Sequence, residues 1–150
     1  MKGLVQRVSE ASVEVDGREI SRIGSGILLF LGVEQGDGLN EAKELCRKVL
    51  TYRIFPDEAG RMNRSVLDTG GALLVVPQFT LAADTSSGTR PGFSLAAGPD
   101  VANEMCAGFI ALSRAEMGEE RVKEGHFGAD MKVSLVNDGP ATFMLSSRKR

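Results

Sequence analysis

The sequence predicts an α+β fold in which two helices pack on a mainly antiparallel or mixed, barrel-like β-sheet within a single domain, residues 1–150. Short apolar segments bounded by turn residues recur along the chain and indicate roughly seven strands. Two longer segments have apolar residues at helical spacing. Because helices and strands do not alternate strictly, an α+β arrangement is favoured over a doubly wound parallel sheet. A chain of 150 residues can bury a core without disulfides or metals.

The first strands are predicted over residues 4–8, 12–15 and 18–23. The last two of these segments flank Asp16-Gly17, a strong signal for a two-residue β-hairpin. Residues 27–33 form a continuous apolar run that begins and ends near glycines. Such a run predicts a central strand that is buried on both faces.

The first helix is predicted to follow Asp37-Gly38-Leu39-Asn40, which offers capping residues. Its predicted apolar face consists of Leu39, Ala42, Leu45, Cys46, Val49 and Tyr52. Pro56 and Gly60 then mark a loop, and residues 72–76 predict another buried strand that leads directly into residues 77–81.

Residues 82–99 form a long segment rich in Gly, Ser, Thr and Pro, of a kind that is often functional. The second helix is predicted over residues 100–117 and ends at Gly118. Its predicted apolar face consists of Val101, Met105, Phe109, Leu112 and Ala115. Two last strands, 131–136 and 141–145, are predicted on either side of a turn at Asn137-Asp138-Gly139-Pro140.

Composition and charge limit the classes of function. The net charge of -2 gives no support for binding long stretches of RNA, but it permits a local contact with one RNA end. The basic residues 148–150 can contact phosphate, although a solvated chain end is the simpler interpretation. No apolar stretch follows the first residues as in a signal peptide, and the longest apolar run, 27–31, is too short to span a bilayer. A cytoplasmic protein without a membrane partner is expected.

The sequence offers few groups for catalysis. Cys46 and Cys106 fall on the apolar sides of the helices, so we expect buried, reduced thiols rather than a disulfide or a metal site. The single histidine, His126, lies in a glycine-rich segment, and the chain has no GxSxG motif. We therefore interpret His126 as an exposed loop residue rather than as a catalytic base.

A polar segment at the end of the 72–76 strand is the first candidate site. In an extended chain Gln78 and Thr80 share one face while Phe79 points the other way. Such a pair can hydrogen-bond a carbonyl or a sugar hydroxyl. From spacing alone, the favoured interpretation is a strand that leaves the core and becomes polar.

The second candidate is Gly139-Pro140. An X-Pro bond can be cis, and a cis bond would hold successive carbonyls on the same side as a rigid backbone probe. A simple turn between two strands explains the same residues.

Six segments in order nevertheless carry a clear resemblance. The chain resembles the D-aminoacyl-tRNA deacylase family from end to end. The matching segments are Leu4-Val5-Gln6-Arg7-Val8, Gly26-Ile27-Leu28 with Leu31-Gly32-Val33, Gln78-Phe79-Thr80-Leu81, Gly88-Thr89-Arg90-Pro91, Phe127-Gly128-Ala129-Asp130-Met131, and Asn137-Asp138-Gly139-Pro140 with Thr142.

The resemblance implies a homodimer with an intimate interface. It implies that Gly139-Pro140 is cis and enters the active site of the other subunit, where residues 78–80 form the facing wall. Arg7 would hold the Gly-Pro backbone in place. Phe127 and Met131 would help to line the pocket for the terminal adenosine, which suits an aromatic ring and a thioether.

The resemblance also implies the reaction. The partner would be the 3′ acceptor end of a tRNA, and a D-amino acid or glycine would be released from its ester, without a cofactor, a metal or a DNA partner. The RNA's own 2′ hydroxyl would contribute to catalysis. The family usually has Ser where this chain has Pro77, which cannot act as a nucleophile, and Ser where it has Gly92.

Two other interpretations remain open from the sequence. The chain could be a non-catalytic RNA-binding module that kept the fold. It could also be a small-molecule esterase that uses Thr80 or a serine between residues 84 and 94, although no elbow motif or suitably placed histidine supports this.

Overall fold

A long first strand organises the sheet. The computed structural model describes residues 1–147, and the basic residues 148–150 considered above lie outside the described part. The described elements are, in order, β1 (Lys2–Val15), β2 (Arg18–Ile23), β3 (Gly26–Gly32), α1 (Leu39–Thr51), β4 (Phe55–Pro56), β5 (Met62–Arg64), α2 (Val66–Thr69), β6 (Ala72–Pro77), α3 (Pro99–Met117), β7 (Val122–Glu124) and β8 (Lys132–Ser146).

The sheet is mixed, as predicted. Strand β1 pairs antiparallel with β3 through its first half and with β2 through its second half, and β8 pairs antiparallel along its other side. Strands β3, β6 and β7 are parallel to one another. The order is β2-β1-β3-β6-β7, with β8 added on β1, which gives the barrel-like, single-domain α+β fold that the sequence predicts. Strands β4 and β5 form a separate small hairpin.

The predicted hairpin and central strand are confirmed. Asp16 and Gly17 both have positive φ, 51° and 76°, as a tight turn between β1 and β2 requires. Every residue of β3 is buried except Phe30, which is half-buried. Alternate residues face opposite sides of the sheet: Ile27 and Leu29 join the core under the helices, while Leu28 joins a second cluster on the other face.

Both long helices form, but the prediction of their apolar faces was partly wrong. In α1, Leu39 is 51% exposed, and Tyr52, which lies just after the helix as its C-cap, is 37% exposed. In α3, Val101 is 45% exposed, and the buried set is shifted along the chain. That buried set consists of Ala102, Cys106, Phe109, Ile110, Ser113 and Met117. The sequence prediction also lacked the short helix α2, which Ser65 caps through its hydroxyl.

The cysteines are buried free thiols, as predicted. Cys46 lies on α1 and its Sγ is 3.4 Å from the hydroxyl of Ser113 on α3. Burial raises the pKa of the Cys106 thiol to about 11. Both side chains belong to the core cluster that the helices form with the sheet.

Two strand boundaries differ from the sequence prediction. The segments 4–8 and 12–15 belong to one continuous strand, β1. The predicted turn at residues 137–140 was wrong, because these residues lie inside one long strand, β8. Among residues 1–147, no helix is long and apolar enough to cross a membrane.

Candidate active site

The candidate site lies at the carboxyl ends of the parallel strands β3, β6 and β7. Gln78 follows β6 directly, and its main-chain N–H donates to the carbonyl oxygen of Leu31 at the end of β3, at 2.8 Å. Gly125 follows β7 and its N–H donates to the carbonyl oxygen of Val75, also at 2.8 Å. Chain segments therefore leave the sheet together at this edge, the usual place for ligand sites in parallel sheets.

The prediction that residues 78–80 are extended was wrong. Residues Phe79–Ala82 form a 3₁₀ turn with Gln78 at its N-cap position. The turn brings the predicted polar pair together, because Gln78 Nε2 donates to Thr80 Oγ1 at 2.8 Å. A carboxamide NH₂ has no proton-accepting capacity, so Gln78 cannot activate the Thr80 hydroxyl as a base would.

The same turn presents main-chain donors. Its first hydrogen bond runs from the N–H of Leu81 to the carbonyl oxygen of Gln78, at 3.1 Å. The N–H groups of Phe79 and Thr80 precede that bond, and the first N–H groups of a helical turn have no acceptor within the turn. Two neighbouring N–H groups of this kind are suited to bind a developing oxyanion.

An aromatic contact that the sequence analysis missed borders this turn. Phe79 is 57% exposed, and its ring centroid lies 5.3 Å from that of Phe93, which is 45% exposed. Phe93 lies in the predicted long loop. Two hydrogen bonds between Asp84 and Gly92 close this loop, and the N–H of Ala97 donates to the carbonyl oxygen of Val33, the residue that follows β3. A lone aromatic residue in a Gly- and Ser-rich loop was the signal that could have identified it.

Met131 and Phe127 lie near the end of β7. Met131 Sδ accepts a hydrogen bond from the main-chain N–H of His126 at 3.3 Å, and a Cβ built on Gly125 would lie 2.7 Å from that sulfur. The same position is 3.5 Å from Pro77 Cδ, so Met131 adjoins the segment that contains Gln78. Phe127 is half-buried against the main core, and His126 is exposed, as expected.

The Gly139-Pro140 bond is cis and lies in a bulge of β8. Gln6 of β1 pairs with Thr142, and Val8 pairs with Asn137, so the residues between 137 and 142 all stand opposite Arg7. The Arg7 guanidinium donates from Nε to the carbonyl oxygen of Asp138 at 2.9 Å. The bulge is therefore fixed to the side chain of the residue that it faces.

The two candidate segments are far apart within one chain. Gln78 bonds to Leu31 of β3, and Leu31 pairs with Gly3 of β1. The bulge lies opposite Arg7 of β1, which pairs with Ile27 at the other end of β3. The separation along β1 is the rise from Gly3 to Arg7, roughly 13 Å at about 3.3 Å per residue. Strands β1 and β3 also lie between β8, which carries the bulge, and β6, which leads into Gln78. A single protomer thus does not bring these segments into contact.

Comparison with known proteins identifies the family. A family model described as D-Tyr-tRNA(Tyr) deacylase matches residues 4–146, nearly the whole chain. The chain belongs to the D-Tyr-tRNA(Tyr) deacylase family. The family match includes the 3₁₀ turn at Phe79–Ala82, the Phe127–Met131 segment and the β8 bulge. It confirms the prediction made from the six segments, and with it the prediction of an enzyme that hydrolyses the aminoacyl-tRNA ester.

Curated relatives within the deacylase family cover the chain from end to end. A D-aminoacyl-tRNA deacylase of Marinobacter nauticus is 69% identical over 150 residues, which cover 100% of this chain and 96% of the relative. One of Teredinibacter turnerae is 54% identical, covering 98% of this chain and 100% of the relative.

Solved structures agree on the fold. The structure titled c-Myc DNA Unwinding Element Binding Protein superposes with a TM-score of 0.95 at 41% identity, covering 99% of this chain and 100% of that one. A probable eukaryotic D-amino acid tRNA deacylase has a TM-score of 0.83 at 17% identity, covering 96% and 97%.

Proposed function

We propose that this deacylase-family protein hydrolyses the ester that joins a D-amino acid, or glycine, to the 3′ end of a tRNA, and leaves the L-aminoacyl ester intact. The observation that carries the proposal is the family match over residues 4–146, together with a relative at 69% identity that is named a D-aminoacyl-tRNA deacylase. The products are free tRNA and the free amino acid, and the reaction serves proofreading in the cytoplasm.

The working unit in this proposal is a homodimer. Gly139-Pro140 of one protomer would lie in the site that residues 78–80 of its partner form. The distance between these segments within one chain supports this arrangement, since both cannot contact one small aminoacyl group from the same protomer. The exposure of Gly139 and Pro140 on the surface of the protomer agrees with it as well.

Chiral selection would then come from backbone atoms. The carbonyl oxygens of Gly139 and Pro140 can accept hydrogen bonds from the α-ammonium group of the substrate and so fix its Cα. An L side chain would be directed into that backbone and excluded, while a D side chain would point to open space. These carbonyl oxygens contact the α-ammonium group and not the side chain, so several D-amino acids should be substrates. Glycine lacks a Cβ and would not be rejected.

The protein's chemical tasks are to position the ester and to stabilise the oxyanion. An aminoacyl ester is already activated, and the adjacent 2′ hydroxyl of the ribose would assist its hydrolysis. The N–H groups of Phe79 and Thr80 would bind the oxyanion of the tetrahedral intermediate. Thr80 would not form a covalent intermediate, because its hydroxyl contacts an amide donor, Gln78 Nε2, rather than a base.

The terminal adenosine would bind beside Phe127 and Met131. Met131 adjoins Pro77 and hence the turn that carries the proposed oxyanion donors. A thioether and an aromatic ring offer a purine soft, flat contacts.

Measured release from matched tRNA esters tests the proposed function. Purified protein is incubated with tRNA charged with D-Tyr, L-Tyr or Gly, and the fraction of aminoacyl ester that remains is measured over time. We expect rapid loss of the D-Tyr and Gly esters and a stable L-Tyr ester. Equal hydrolysis of D-Tyr and L-Tyr esters would contradict the chiral filter. Binding of tRNA without any hydrolysis would instead favour the non-catalytic RNA-binding module.

A further inference from the structure

The side chain of Asn137 spans the base of the β8 bulge. Its Nδ2 donates to the carbonyl oxygen of Arg7 on β1 at 3.0 Å and to the carbonyl oxygen of Ala141 on β8 at 3.3 Å. In an uninterrupted antiparallel ladder, main-chain N–H groups of the neighbouring strand satisfy such carbonyls. The bulge removes that pairing opposite Arg7, and the amide of Asn137 supplies donors in its place.

The same side chain explains why residue 139 is glycine. The φ of Gly139 is not in the positive region, so backbone conformation does not require glycine there. A Cβ built on Gly139 would instead lie 2.6 Å from Asn137 Oδ1 and 3.4 Å from Asn137 Cγ. A freely moving side chain would rotate away, but rotation of Asn137 would break its two hydrogen bonds to main-chain carbonyls.

We infer that Asn137 is a positioning residue for substrate selection: it fixes the Gly139-Pro140 backbone to β1, and it is the group that excludes any side chain at position 139. This inference rests on the proposed function for its effect on selectivity. The coupling between Asn137 and Gly139 is a structural claim that is independent of the reaction.

A double-mutant cycle tests that coupling. The variants Asn137→Ala, Gly139→Ala and the double variant are compared with the wild type by thermal unfolding. We expect Gly139→Ala alone to lower Tm by several degrees. In the Asn137→Ala background, Gly139→Ala should lower Tm much less, because Oδ1 and Cγ of Asn137 are absent. Gly24→Ala is the control, because a Cβ there meets nothing within 4 Å.

An isosteric substitution tests the effect on selectivity. Asn137→Asp keeps the shape but turns two donor contacts into contacts between a carboxylate and carbonyl oxygens. We expect the ratio of kcat/KM for D-Tyr-tRNA to that for L-Tyr-tRNA to fall by at least about tenfold. Asn40→Asp, on the exposed side of α1, controls for the added charge. If Asn137→Asp does not fold, Asn137→Ser gives the same comparison with a shorter side chain.

The outcomes separate the structural role of Asn137 from its effect on substrate selection. An equal cost of Gly139→Ala in both backgrounds would overturn the assignment of Asn137 as the excluding group. An unchanged D/L ratio in folded Asn137→Asp and Asn137→Ser would overturn its positioning role. If the wild type does not hydrolyse D-Tyr-tRNA, the proposed function fails, whereas the thermal cycle still decides whether Asn137 and Gly139 are coupled.

Discussion

The guanidinium group of Arg7 contacts both the main chain and the side chain of Asp138. Its Nε lies 2.9 Å from the carbonyl oxygen and 3.3 Å from the carboxylate Oδ2 of Asp138. Its Nη1 donates to the carbonyl oxygen of Ile54 at 2.6 Å, so one planar cation joins the β8 bulge to the segment before β4. The residue just before Gly139 is thus bound through both its main chain and its side chain.

Replacement of Arg7 by lysine tests this arrangement. A lysine ammonium cannot reproduce the fixed fork of donors that reaches both carbonyls. We expect Arg7→Lys to reduce the free energy of unfolding by about 1–3 kcal/mol, and to reduce kcat/KM for D-Tyr-tRNA. Urea unfolding and ester-release kinetics measure these effects. Arg18→Lys, at an exposed position of β2, should change neither; equal behaviour of the two variants would refute a special role for Arg7.

The proposed oxyanion donor at Phe79 can be removed without a change of fold. Proline is favoured at the first position of a helical turn, and it lacks the main-chain N–H. Phe79→Ala removes the ring and keeps the N–H, so the comparison of Phe79→Pro with Phe79→Ala isolates the donor. We expect kcat of Phe79→Pro to lie about 100-fold or more below that of Phe79→Ala. Similar rates for both variants would remove Phe79 N–H from the mechanism.

Thr80 should be dispensable as a nucleophile. Thr80→Ala deletes the hydroxyl that Gln78 Nε2 contacts but leaves the main-chain N–H in place. We expect kcat within about tenfold of the wild type, because Gln78 Nε2, the group that contacts this hydroxyl, is a donor and cannot take up its proton. Complete loss of hydrolysis with unchanged tRNA affinity, measured by filter binding, would show that the hydroxyl takes part in the chemistry.

Gly26 should be one of the least tolerant positions of the sheet. Its φ is 158°, and a Cβ there would lie 1.9 Å from the carbonyl oxygen of Ala72, where β3 and β6 begin to pair. We expect Gly26→Ala to destabilise the fold by about 3 kcal/mol or more. Gly24→Ala, two residues earlier and free of contacts, should have an effect within about 0.5 kcal/mol. Urea unfolding of both variants makes the comparison, and equal midpoints would contradict it.

The two thiols should be unreactive in the folded protein. Burial raises the pKa of Cys46 and raises that of Cys106 to about 11, so at pH 8 only about one Cys106 thiol in a thousand is ionised. We expect slow reaction with a chromogenic disulfide reagent at pH 8, and rapid reaction of both thiols in guanidinium chloride. Rapid labelling without denaturant would contradict the burial of the interface between α1 and α3.

Local sequence signals predicted the elements whose structure depends on local chemistry. The positive φ values of the Asp16-Gly17 turn and the two-sided burial of β3 follow directly from residue type and apolar pattern. The turn signal at residues 137–140 was misleading because both halves of β8 pair with β1, and those long-range hydrogen bonds keep the strand continuous around a bulge.

The candidate site was predicted in its residues but not in its geometry. Motifs identified Gln78 and Thr80, yet the 3₁₀ turn that joins them depends on how the chain leaves the sheet beside Leu31. The helix faces shifted for a similar reason: the exposure of Val101 is set by where α3 meets α1, which spacing along one helix does not specify. Phe93 stands out in the sequence as a lone aromatic residue of its loop, but its contact with Phe79 depends on how the hydrogen bonds between Asp84 and Gly92 close that loop.

Mixed dimers test most directly the central claim that each active site takes its wall from one protomer and its Gly-Pro segment from the other. A Phe79→Pro chain and a Gly139→Leu chain with different tags are co-expressed. The heterodimer that carries both tags is purified and assayed on D-Tyr-tRNA. The mirror control pairs a chain that carries both substitutions with a wild-type chain. If sites are shared across the two-fold axis as proposed, we expect about half of the wild-type rate for the first dimer and almost none for the second. The reverse result, an inactive first dimer and a half-active control, would show that each chain builds its own site and would contradict the account.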